Sequence, residues 1–122
     1  MKRTLVLGAL LALSACDASP LSCMEADLAI SARFEEALAP HRACEVDADC
    51  GLFSPRVECA DSQFEFCPSS ARTDSLEDAQ RDVQALGEAD CVRVSPGCVS
   101  SATCAPATAE CVEGVCRAVS SL

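Results

Sequence analysis

The chain has 122 residues, eleven cysteines, four aromatic residues that are all Phe, and a formal net charge of −10. That is chain enough for one small domain, and its acidity excludes nucleic acid and anionic headgroups as partners of its surface. A core built mostly of Ala and Val buries little area per residue. It needs cross-links of about 2–4 kcal/mol each, and disulfides last only in oxidising compartments, so the composition predicts export.

The N-terminus supplies a route. "MKR" is a basic start and Thr4–Leu13 is a ten-residue apolar run, the layout of a cleavable signal peptide and too short to span a bilayer as a helix. The "LSAC" that follows, Leu13–Cys16, resembles the lipobox of bacterial lipoproteins. The resemblance implies cleavage before Cys16, a diacylglyceryl group on its sulfur, and a membrane partner held through the acyl chains. Asp17 directly after it resembles the inner-membrane retention signal of enteric bacteria, and both the inner and the outer membrane stay open.

Three segments are therefore expected: a signal peptide over 1–15, a lipidated N-terminus and short tether over 16–21, and a disulfide-rich domain over 22–122. The tether "DASPL", Asp17–Leu21, reaches less than about 18 Å and holds the domain close to the bilayer. Cleavage leaves seven Arg against nineteen Asp and Glu, about −12. That charge suits solubility, or a protein partner with a basic surface.

Setting Cys16 aside leaves an even ten: Cys23, Cys44, Cys50, Cys59, Cys67, Cys91, Cys98, Cys104, Cys111 and Cys116. All ten are expected in five disulfides, with roughly 945 pairings open.

Ser22 and Glu25 form a capping-box pattern, and Leu28, Ile30, Phe34, Ala37 and Leu38 recur near helical spacing until Pro40. A second helix begins at Thr73 or Asp74. Leu76, Ala79, Val83 and Leu86 make its apolar stripe, and Gly87 is its expected C-cap. Its other face, with Glu77, Asp78, Arg81, Asp82 and Gln84, reads as solvated surface.

Each helix leads into a cysteine-rich segment of strands and turns, Cys44–Cys67 and Cys91–Val119, which suggests a pseudo-repeat around a shared core. In "CVEGVC" the Glu113-Gly114 turn sets Val112 against Val115 and Cys111 against Cys116. Those two sulfurs either join or each bond outward, with outward pairing preferred. The fold class expected is α+β, a small disulfide-rich domain of two helices, each followed by a cysteine-stapled hairpin-like segment.

The lipobox, the acidic "CEVDADC" and the terminal "CVEGVC" together resemble short cysteine-rich lipoproteins of myxobacterium-like Gram-negative bacteria, a group of unassigned function. The resemblance implies class and location and carries no catalytic residue.

No chemistry of catalysis stands out. His41 is the only histidine, every cysteine has a prior use, and G-x-S-x-G, C-x-x-C and Gly-rich phosphate loops are absent from the sequence. Neighbouring cysteines have four to 23 residues between them, never the two-residue spacing that chelates zinc. Glu45, Asp47 and Asp49, with Asp61 and Glu65 downstream, are acids of the kind a calcium loop uses, but Cys50-Gly51 breaks the EF-hand register. No catalytic residue, metal or cofactor is expected. The functional expectation is a lipid-anchored module of the bacterial cell envelope, binding or structural, without enzymatic activity. The alternative is a stapled inhibitor or effector-type domain, presenting Gly51–Glu58 or Ser95–Cys98 to an envelope or extracellular protein.

Overall fold

The first helix starts where its cap predicts. The Glu25 N–H donates to Ser22 Oγ at 3.2 Å, and that hydroxyl donates to the Glu25 carboxylate at 2.9 Å. The computed structural model describes residues 20–120, so Cys16 and the signal-like segment lie outside the described residues. Helix α1 covers Cys23–Ser31 and α2 covers Phe34–Leu38, with a 3-10 turn over Ala39–His41.

The chain breaks the single helix expected here into two. At the break Arg33 N–H bonds to the Ile30 carbonyl, an i→i−3 contact that tightens the turn. Ala26, Ile30, Ala37 and Leu38 are buried, while Leu28 is exposed. Leu28 and Ile30 are two residues apart, about 200° around a helix, so they cannot share a face.

Helix α3 covers Leu76–Cys91 and follows a 3-10 turn over Thr73–Ser75. Ala79 and Val83 are buried, with Leu76 and Leu86 packed against the core, so the expected stripe faces inward. Gly87 is not the C-cap. It lies inside the helix, buried, where an added Cβ would stand 2.6 Å from both methyls of Val57. A side chain there would push the helix off the sheet. The cap falls at Val92, one residue past Cys91.

Three short strands lie in the first cysteine-rich segment, β1 Cys50–Phe53, β2 Arg56–Cys59 and β3 Ser62–Glu65, and β4 Ser69–Arg72 follows it. They nest, with β1 antiparallel to β4 and the β2–β3 hairpin between them in sequence. The second segment supplies β5, Val99–Ser101, parallel to β3, and the hairpin β6 Ala107–Val112 with β7 Val115–Ser120. The class is α+β as expected, but the two segments have different topologies and no structural repeat relates them. Phe64, fully buried, sits with Val57, Ile30, Leu38 and Val83 at the centre. Phe34 and Phe66 meet edge-on, centroids 4.6 Å apart.

The β6–β7 turn forms as its sequence predicts. Glu113 and Gly114 both have positive φ, 52° and 79°, the combination that matches the twist of a two-residue hairpin. Cys111 then faces Cys116 and Val112 faces Val115.

Candidate functional site

The ten described cysteines form five bridges: Cys23–Cys98, Cys44–Cys111, Cys50–Cys116, Cys59–Cys91 and Cys67–Cys104. Each joins a cysteine from residues 23–67 to one from residues 91–116. Cys111 and Cys116 both bond outward, to Cys44 and Cys50. The sulfurs of Cys44, Cys50 and Cys116 lie within 4.8 Å of one another, a crowding that two adjacent bridges produce with every sulfur already bonded. Five disulfides place the domain in an oxidising, extracytoplasmic environment. Among the described residues no helix is long and apolar enough to cross a membrane.

The bridges also fix where the incoming chain meets the body. Leu21 lies parallel to Val94, its N–H donating to the Arg93 carbonyl at 2.6 Å and its carbonyl accepting from Ser95 Oγ at 2.9 Å. Two residues later Cys23 bonds to Cys98. Leu21, expected in the tether, belongs instead to the fold.

The acids of the Glu45–Asp49 stretch serve the backbone. Asp49 Oδ2 accepts from the Glu45 and Val46 N–H groups at 2.9 and 3.2 Å, and Asp47 Oδ1 accepts from Cys111 N–H at 2.8 Å. The two backbone bonds, with Arg72 nearby, hold the Asp49 carboxyl below its ordinary pKa. Arg72 also forks onto Asp74 at 2.9 and 3.1 Å, lowering that carboxyl and raising its own pKa. The Asp47 bond to Cys111 N–H and the Cys44–Cys111 bridge tie the loop to the β6–β7 hairpin.

His41 Nε2 lies 2.6 Å from Asp82 Oδ2, joining the end of the first helical segment to α3. The hollow beside the pair is lined by Glu36, Ala37, Pro40, Asp82, Ala85 and Leu86, which offer no hydroxyl or thiol to be activated. Arg33 reaches Asp90, buried in the last turn of α3, with Nε 3.0 Å from Oδ2 and a hydrogen bond to Oδ1 at 3.3 Å. Oδ2 accepts no aligned hydrogen bond, so the contact there is an ion pair.

The polar face of α3, expected to be solvated surface, is partly structural. Asp82 holds His41, and Gln84, with Gln80, covers the outer edge of β2. Gln80 accepts from Arg56 N–H and donates to its carbonyl, at 3.1 and 2.7 Å. Gln84 does the same at Glu58, at 2.8 and 2.9 Å.

A hollow of about 550 Å³ forms an open groove between the β1–β2 corner and α3. Phe53 and Leu76 form its apolar part, with Arg56, Glu65, Glu77 and Gln80 around them. The Gly51–Glu58 stretch expected as a presented loop forms β1, a corner and β2, with Pro55 and Val57 fully buried. Ser95–Cys98 does expose Pro96 and Gly97. Gly97 N–H bonds to the Asp61 carbonyl, and Ser62 Oγ links the Ser95 carbonyl to Cys98 N–H.

Comparison with protein-family models, with curated proteins and with solved structures finds no match to this chain.

Proposed function

We propose that the chain is a bacterial lipoprotein, cleaved before Cys16, acylated there, and displayed at the cell envelope as a rigid, non-catalytic binding or structural module. The observation that carries this reading is the bridging pattern, in which five disulfides lock the two ends of the domain together. Such a framework belongs to an exported chain; "MKR" with the apolar Thr4–Leu13 supplies the export signal, and the "LSAC" at Leu13–Cys16 supplies the anchor. With about −12 on the mature chain, the partner favoured is a protein with a basic surface.

The inhibitor-type reading rests on the Ser95–Cys98 turn. Its exposed Pro96-Gly97 is pinned from both sides, as a rigid inserted loop requires.

Metabolic labelling with palmitate tests the anchor. Label is expected in the wild-type protein and absent from Cys16→Ala, and equal labelling of the two overturns the assignment.

A further inference from the structure

Four apolar side chains stand out on the surface near one end: Met24 is 75% exposed, Leu28 65%, Val92 88% and Val99 80%. The fold gathers them around the point where the incoming chain joins the body. The Cys23–Cys98 bridge sets its Cα atoms 5.5 Å apart. Met24 and Val99 are the next residues along, so their Cα atoms lie within about 13 Å of each other. Leu28 follows Met24 by one helical turn on the same side. Val92 lies two residues before Val94, which pairs with Leu21. Because that pairing is parallel, Pro20 leaves Leu21 on the Val92 side.

The length of chain beyond Leu21 selects the occupant. Cys16 is at most about 18 Å from Leu21 along an extended chain, whereas a domain of this size is roughly 30 Å across. With Cys16 acylated, the Leu21 end is held within reach of the bilayer, whereas β6 and β7 pack on β1, β4 and the Asp47–Asp49 turn. The acidic surface gains nothing from anionic lipid, so apolar contact with a zwitterionic surface is the chemistry left to this end.

We propose that the end of the domain around Leu21 seats on the bilayer that holds Cys16, with Met24, Leu28, Val92 and Val99 entering the headgroup–acyl boundary. The inference rests on the anchor proposed above and adds an orientation to it. The groove beside Phe53 and Leu76 then belongs to the part of the domain left to meet a partner.

The chain has no Trp and no Tyr, so a single Trp is a clean depth reporter. Full-length lipidated Met24→Trp, Val92→Trp and Val112→Trp would be reconstituted into phosphatidylcholine vesicles carrying brominated acyl chains. Val112 is the matched control, an exposed valine (42%) beside the β6–β7 turn. Insertion of about 5–10 Å predicts quenching at positions 24 and 92 at least about threefold that at position 112. A smaller ratio at either position overturns the seating.

Flotation of the wild type and Cys16→Ala with the same vesicles separates the two claims. If only the wild type floats and the quenching ratio is flat, the anchor stands and the seating fails. If both float equally, the anchor fails, and the quenching ratio repeated in the Cys16→Ala background decides the seating: threefold or more upholds it and a flat ratio overturns it.

Discussion

Gly87 and Val57 bring helix and strand into close approach, because an added Cβ at position 87 would stand 2.6 Å from the Val57 methyls. Gly87→Ala gains about 1 kcal/mol of helix propensity and meets an overpacking cost of about 1–3 kcal/mol. The substitution is expected to lower stability in denaturant titrations. In a Val57→Ala background the same change should become neutral or favourable, so the double-mutant cycle reads the contact directly.

Asp49 and Asp74 act by charge, and their lowered carboxyl pKa values give their contribution a direction in pH. A carboxyl whose folded pKa lies below its unfolded value stabilises above the unfolded value and loses that contribution as pH falls through the folded one. Asp49→Asn is therefore expected to be less stable than the wild type at neutral pH. The gap should close as pH drops below about 4, and unfolding midpoints across an acid series measure it.

The contact between α3 and β2 replaces a missing strand. Two residues of strand advance about 6.8 Å and four residues of helix about 6.0 Å, so Gln80 and Gln84 fall opposite Arg56 and Glu58. Each amide supplies one acceptor and one donor, and together they satisfy two N–H and two carbonyl groups of an outer strand edge that would otherwise invite another strand. Gln80→Ala with Gln84→Ala is expected to cost about 1 kcal/mol per lost hydrogen bond at most. A sharper readout is amide hydrogen exchange, which should speed up at Arg56 and Glu58 and leave β6–β7 unchanged. A sequence cannot display this pairing, because two polar residues four apart on a helix look the same facing water or a strand edge. The capping residues Ser22 and Glu25, the α3 stripe and the Glu113-Gly114 turn were legible, since each depends only on neighbours in the chain.

Taken as a whole, the molecule is braced between its ends. The bridged cysteines are 32 to 75 residues apart in sequence, and closing a loop of that length alone contributes about 4 kcal/mol by unfolded-state entropy. Intact mass is expected to rise by the ten hydrogens of five reduced bridges. The reduced chain should also lose its cooperative thermal transition, since its core contains only one fully buried aromatic ring, Phe64. Retention of a sharp transition after full reduction would show that packing alone suffices.

By itself the sequence determined the class of this domain. The even ten cysteines, the scarcity of aromatic side chains and the helix and turn signals are local or compositional, and they specify a small disulfide-stapled α+β fold. Only the tertiary structure decided which cysteines pair, that Gly87 marks an approach of helix to sheet, and that Leu28 faces out. It also drew Leu21 into the body and set the exposed apolar residues around it. Those features depend on which distant segments meet, and contacts across 32 to 75 residues leave no periodic trace in the chain that makes them.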